Sequence, residues 1–298
     1  MDMSDSTDTR NAHQRVWFVT GSSRGLGRSL ITAVLEAGDL VVATARNPKA
    51  LAEELKDHDD RVLALPLDVT SADAARAAID AALDRFGRLD VVVNNAGYAN
   101  VSPVETSDDQ DFRAQFETNF WGVYHVTKAA LPVLRQQGSG IVVQISSVGG
   151  RVGGSPGIAS YQAAKFAVDG FTRSLAAETA PLGVRFMVVE PSGFATDWAG
   201  SSMTVHPTPE AYDSTVGAMN RRVRQGTAGS AGDPNRAAEI IVRTVRRGDT
   251  PSHLLLGVNA VNLALNYSRR QLTEAETWEA VSRSADFAEP YPVELPPA

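Results

Sequence analysis

The alternation of short apolar runs with helix-like stretches most limits what this chain can become. The runs are Val16–Thr20, Leu40–Ala45, Val62–Leu67, Leu89–Val93, Ile141–Ile145, Val184–Val189 and His253–Leu256. Between them, apolar residues recur at helical spacing, as in Ser29–Ala37, Pro48–Asp57, Ser71–Phe86, Ser160–Thr179 and Pro234–Arg247. Strands that alternate with helices make a parallel sheet covered on both faces. Right-handed crossovers then wind the units in two directions from the first strand. The pattern therefore predicts an α/β fold. It is a doubly wound parallel sheet of about seven strands in a single domain, residues 16–285, with helices on both faces.

The ends fall outside that pattern. Residues 1–15 are polar and lack the apolar core of a signal peptide, so a disordered tail is expected. Residues 286–298 hold four Pro and two Glu and read as an extended tail. At 43% hydrophobic, the 298 residues can bury a sizeable core. A net charge of −7 without a long basic run argues against nucleic acid as a partner. No Cys is present and the five His are scattered, so no metal site is expected. No run of eighteen apolar residues exists; Leu254–Leu265 comes nearest and is interrupted by Asn259 and Asn262. A cytoplasmic protein without a membrane span is the expectation.

Chemistry is first suggested after the first strand. Thr20-Gly21-Ser22-Ser23-Arg24-Gly25-Leu26-Gly27 joins that strand to a helix. Glycines there let backbone N–H groups approach a phosphate, and the helix start favours its charge. Gly21, Ser23, Arg24, Gly25, Leu26 and Gly27 are the candidate contacts. The second strand ends Ala43-Thr44-Ala45-Arg46, without the acid that would take a ribose 2′-hydroxyl. Arg46 and Arg24 would instead grip a 2′-phosphate, which favours NADP(H) over NAD(H). Asp68, with Val69 beside it, closes the third strand where an adenine amino group would sit. Asn94-Asn95-Ala96-Gly97 closes the fourth, and small Ala96 and Gly97 admit a ligand close to the backbone, with Asn95 beside them.

A second constellation follows the fifth strand. Ser147 begins a Gly-rich stretch read as a loop, and a helical pattern resumes at Ser160. Tyr161 and Lys165, four apart on that helix, share a face. A phenol titrates near ~10, and a neighbouring ammonium would lower that value toward useful acid–base chemistry. Ser147 would hold a substrate oxygen. Tyr124 and Lys128 repeat the spacing, but with no Ser-ended strand or Gly-rich loop before them; this copy reads as surface or interface. At 100° per residue, Tyr124 lies roughly 140° around the helix from Asn119.

Six pieces in order carry a resemblance: Thr20-Gly21-x-x-x-Gly25-x-Gly27, Asn94-Asn95-Ala96-Gly97, Asn119-Phe-Trp-Gly122, Ser147, Tyr161-x-x-x-Lys165 and Pro191-Ser192-Gly193-x-x-Thr196. Across about residues 16–256 the chain resembles the short-chain dehydrogenases/reductases, whose fold is of the Rossmann type. The resemblance implies an oxidoreductase passing hydride between a nicotinamide and a carbonyl or secondary alcohol. It implies a tetrad: Tyr161 moves the proton, Lys165 lowers the Tyr161 pKa and holds the nicotinamide ribose, Ser147 orients the substrate, and Asn119 anchors a water leading to Lys165. Pro191 and Thr196 would border the nicotinamide. The step from Ser147 to Tyr161 is one residue longer than usual in the family, and Ser192 replaces its usual Gly. Residues 194–232 would be a loop-like lid over the substrate. Phe194, Trp198, Met203, Tyr98 and Val101 suggest an apolar wall for a small, largely apolar substrate. A homodimer or homotetramer is implied.

Two rivals are weighed against this. Gly21-x-Ser23-x-Gly25 also fits a nucleophile elbow, with Asp197 and His253 following in triad order, but no oxyanion-hole segment accompanies it. The other rival is a non-catalytic NADP(H)-binding regulatory protein, which loss of a tetrad residue would have favoured.

Overall fold

The structure, a computed structural model, describes residues 14–196, 203–225 and 232–297. Seven strands form one all-parallel sheet in the order β3-β2-β1-β4-β5-β6-β7. They are β1 Val16–Thr20, β2 Leu40–Ala45, β3 Val62–Pro66, β4 Val91–Asn94, β5 Gly140–Ile145, β6 Val184–Pro191 and β7 His253–Leu256. Side chains alternate between faces. Trp17, Val19, Val41, Val93 and Val143 pack on one core with α1 Gly25–Glu36. Phe18, Val42, Val92 and Val142 pack on the other with α3 Ala72–Phe86. The helix α2 Lys49–Glu54 precedes β3. Ser71 caps α3 by accepting from the Ala74 N–H, and Gly87, in the left-handed region, ends it.

Strand order reverses between β1 and β4, and there the crossover helices diverge and leave a crevice at the carboxyl ends. Thr20 and Asn95 hold its two lips together. Thr20 Oγ1 accepts from the N–H groups of Asn95 (2.9 Å) and Ala96 (3.0 Å). Asn95 Nδ2 donates to the carbonyls of Thr20 and Gly21. Asn94, by contrast, is buried and braces Thr127 and Gln144.

Several expectations are corrected. The stretch after Ser147 is not all loop, because Gly149–Val152 forms one helical turn, α6. Ser147 Oγ accepts from the Gly149 N–H at 3.0 Å and starts it, and a Cβ on Gly150 would lie 2.7 Å from the Lys165 Cβ. The glycine content that argued against a helix is what lets this turn press against α7 Ala159–Thr179. Between α4 Asp109–Phe116 and α5 Gly122–Gln137 the chain widens into a π-turn, Glu117–Trp121. Asn119 Nδ2 bonds the Gln115 carbonyl at 2.8 Å, so a side chain enters the helical ladder. The even 100° phase therefore does not hold across it. The region after Thr196 is also not all loop, since Glu210–Tyr212, Asp213–Gly217 and α8 Ala218–Arg224 are helical. Val216 and Val223 anchor it in a small core with Val101 and Met203. Helix α9 is Pro234–Arg247, capped by Asp233. Beyond β7 lie α10 Val258–Thr277 and α11 Glu279–Arg283. No helix among the described residues is long and apolar enough to cross a membrane.

Candidate active site

Tyr161 and Lys165 stand one turn apart on α7, both buried. The Tyr161 hydroxyl is hydrogen-bonded to Ser147, at the end of β5. Lys165 Nζ donates to the Ile145 carbonyl at 2.7 Å and lies 5.7 Å from the centre of the Tyr161 ring. Asn119 is fully buried on the far side of Gly97. A Cβ on Gly97 would fall 2.6 Å from Asn119 Oδ1 and 3.6 Å from Lys165 Nζ, so only a residue without one fits between them. Asn119 is held by the Tyr98 backbone, whose carbonyl it bonds at 2.8 Å.

The electrostatics reverse one expectation. Burial pushes the Tyr161 phenol up to about 12, against a smaller lowering by the Ser147 hydrogen bond. Burial also pulls the Lys165 ammonium down to about 8. The ammonium was expected to acidify the phenol; here burial is the largest influence on both groups. At neutral pH the phenol keeps its proton and the ammonium keeps most of its charge.

Around this trio opens a cavity of about 1340 Å³. Every catalytic or cofactor-binding residue that the sequence suggested lines it except Asn119, which stands behind the wall. The glycine turn, Arg24, Arg46 and Asp68 lie along it with Tyr161, Ser147, Pro191 and Thr196. The turn is packed without slack, since a Cβ on Gly27 would meet the Gly21 carbonyl at 2.3 Å. Thr196 rests against Gly25. Arg24 leaves the start of α1 without a side-chain cap. Both Arg24 and Arg46 are exposed, and neither guanidinium bonds a described residue. Asp68 Oδ1 is engaged by the N–H and hydroxyl of Thr70. Ser192 is accommodated by Gly257: a Cβ there would lie 2.4 Å from Ser192 Oγ.

Other groupings separate from this site. The second Tyr–Lys copy does have a direct bond, Lys128 Nζ to the Tyr124 hydroxyl at 3.1 Å. Tyr124 packs edge-on against Trp121 and does not line the cavity. The nucleophile-elbow reading fails on geometry. His253 lies four strands from β1, roughly 19 Å at ~4.8 Å per strand, and bonds Asp169 at 2.6 Å. Asp197 lies outside the described residues. Asp169, Glu190 and His253 come within 4.8 Å of one another, which sequence spacing did not show. Arg173 and Arg151 already pair with the two carboxylates, so the group forms an ion network.

Residues 15–205 match the short chain dehydrogenase family. The chain is a member of the short-chain dehydrogenases/reductases. It is 44% identical over 269 residues to an oxidoreductase of Botryotinia fuckeliana, covering 90% of this chain and 98% of that one. A short-chain dehydrogenase structure from Streptomyces avermitilis superposes with a TM-score of 0.84 at 37% identity, covering 92% of this chain and all of that one. An alcohol dehydrogenase from Thermococcus sibiricus, solved with 5-hydroxy-NADP, superposes at 0.67 with 25% identity over 82% of this chain and 96% of that one.

In this short-chain dehydrogenase/reductase the cavity wall is built from residues partly different from those expected. Tyr98 and Phe194 line it, but Val101 and Met203 are buried in the small core behind. Trp198 lies outside the described residues. Instead, α10 presents Asn259, Asn262 and Asn266, and α7 presents Gln162. The asparagine spacing of three and four was readable as one helical face. In the sequence the first two registered only as interruptions of an apolar run.

Proposed function

We propose that this oxidoreductase reduces a carbonyl, or oxidises the matching secondary alcohol, with NADP(H) as cofactor. The observation that carries the reading is one continuous cavity, with the Tyr161–Ser147–Lys165 group and two exposed arginines along its wall. The residues present fit a dinucleotide. Its pyrophosphate would meet the uncapped start of α1 and the close-packed glycine turn. Arg24 and Arg46 would hold a 2′-phosphate, Asp68 the adenine side, and Pro191 and Thr196 the nicotinamide side. A bound nicotinamide supplies or accepts the hydride.

The protein's own part is the proton. Tyr161, protonated at neutral pH, donates to the carbonyl oxygen as charge develops there, and Ser147 orients that oxygen. Lys165 supports the phenolate left behind. Asn119 fixes Tyr98 and Gly97, the wall facing Lys165. The exposed Trp121, packed with Phe120, Tyr124 and His125, offers an aromatic surface for a second copy of the chain.

Two results are expected. Reduction should hold steady with pH up to about 8 and fall above it, because Lys165 loses its charge there while Tyr161 remains protonated to about 12. A profile of kcat/KM that stays flat to pH 10 would remove Lys165 from the chemical step. Arg46→Asp should shift the preference from NADPH toward NADH by about tenfold or more, since it replaces attraction for a phosphate with repulsion. Equal kcat/KM ratios in both proteins would place the 2′-phosphate elsewhere. The direct test of the reading is reduction of a ketone panel with NADPH. Tight cofactor binding without turnover of any carbonyl would favour the regulatory alternative.

A further inference from the structure

Helix α10 has three faces. Asn259, Asn262 and Asn266 line the cavity, while Ala260 and Ala264 are buried against the rest of the protein. The third face is a seam. Val258, Val261, Leu265, Ser268, Leu272 and Ala275 follow one another at alternating steps of three and four, the spacing by which one helix packs along another. Its large residues are bare: Val258 is 77% and Leu272 60% exposed, and Val261 and Leu265 are exposed as well. From Leu265 to Thr277 every residue is exposed except Tyr267, which is half-buried. A helix that buries so little is marginal in water by itself. The charges at its ends indicate what covers it. The first turn holds no acidic residue and no side-chain cap, and the last turn holds no basic residue. Glu274 and Glu276 stand at the end instead. A helix dipole favours anions at the start and cations at the end, so neither end of α10 is complemented by its own residues. A second α10 laid antiparallel complements both, because each acidic end meets the other's bare start. A parallel copy would set the glutamates against each other.

We infer that α10 pairs antiparallel, seam to seam, with α10 of a second copy of the chain. The register that covers the most apolar surface sets Val258 against the partner's Ala275, Val261 against the partner's Leu272 and Leu265 against the partner's Ser268. Each contact is made twice about a two-fold axis, as a self-complementary interface requires. Two of the three layers set a large side chain against a small one, so the helices can approach closely. Asn262 then stands next to Arg269 of the partner subunit, and each copy adds a cation beside the wall of the other's cavity. The seam lies on a different element from the aromatic surface at Trp121, and use of both would make a tetramer. The inference does not depend on the reaction assigned to the cavity.

The test uses the absence of cysteine from the full chain. Val258→Cys combined with Ala275→Cys should give a disulfide-linked dimer under mild oxidation, seen on a non-reducing gel. Within one helix the two positions are about 25 Å apart, far beyond the span of a disulfide, so any link joins two chains. Val258→Cys alone should stay unlinked, because antiparallel copies hold the two Val258 positions about 25 Å apart as well. A link in the single variant would mean parallel pairing or random collision, and no link in the double variant would mean no pairing at the seam. Either result would overturn the inference. Light scattering gives a second readout. Leu265→Glu with Leu272→Glu changes only exposed positions and should halve the mass of the wild-type particle. An unchanged mass would leave the oligomer to the Trp121 surface alone and overturn the inference. A wild type that is monomeric at every concentration would do the same, leaving the seam to a segment of its own chain or to a different partner.

Discussion

Tyr161→Phe is expected to lower kcat for carbonyl reduction by about 10²–10⁴-fold, the range for loss of a positioned general acid. The substitution removes one oxygen from a side chain that is already buried, so the ring keeps its packing. The lost hydrogen bond to Ser147 frees that hydroxyl but opens no cavity. Binding of NADPH, followed by fluorescence titration, should stay near the wild-type value, because the arginines and the glycine turn are untouched. The loss should appear equally in kcat and kcat/KM, the mark of an interaction made in the transition state. Tyr124→Phe provides the control. It breaks a direct Tyr–Lys hydrogen bond, 3.1 Å to Lys128, yet it should change kcat by less than about twofold because Tyr124 does not line the cavity. A larger loss in Tyr124→Phe than in Tyr161→Phe would transfer the chemistry to the other copy.

Lys165→Met should stabilise the ligand-free protein while abolishing its activity. Lys165 is buried, and burial lowers its pKa from 10.5 to about 8. The direction matters. The charged form is the one the fold disfavours, so the penalty is fully present below about pH 8 and disappears above the unfolded value. Those pKa values correspond to about 3 kcal/mol at neutral pH. The lost hydrogen bond to the Ile145 carbonyl offsets about 1 kcal/mol of this. A net gain of about 2 kcal/mol should raise Tm by roughly 4–8 °C at pH 7. At pH 10.5 the gain should vanish. Thermal melts of both proteins at the two pH values check this. A variant less stable than wild type at pH 7 would mean that Lys165 is held by stronger contacts than the Ile145 carbonyl. The cost is intelligible, since an ammonium kept at a functional site is a strain that stability alone would remove.

The strands and the glycine turn were legible because their signals are local. A period of two or a run of Val, and Gly before a helix, can be read within a few residues, and all seven strands lie within about two residues of the runs seen in the sequence. What was missed depends on contacts far apart in the chain. The turn at Gly149–Val152 forms against Lys165, and its glycines misled because their use is tertiary. The π-turn at Glu117–Trp121 depends on where the Asn119 amide finds carbonyls. The direction of the Tyr161 shift depends on burial, which spacing does not report. Gln162 was one unremarked letter between Tyr161 and Lys165, and only its packing shows that half of its amide is unpaired.

The account depends most on where a bound dinucleotide lies. A crystal structure of the protein with NADP⁺ measures this directly. The account predicts the nicotinamide beside Tyr161 and Ser147, the pyrophosphate at the start of α1, and the 2′-phosphate between Arg24 and Arg46. A nicotinamide ring beyond hydrogen-bond reach of any ligand that touches Tyr161, or a 2′-phosphate turned away from both arginines, would contradict it.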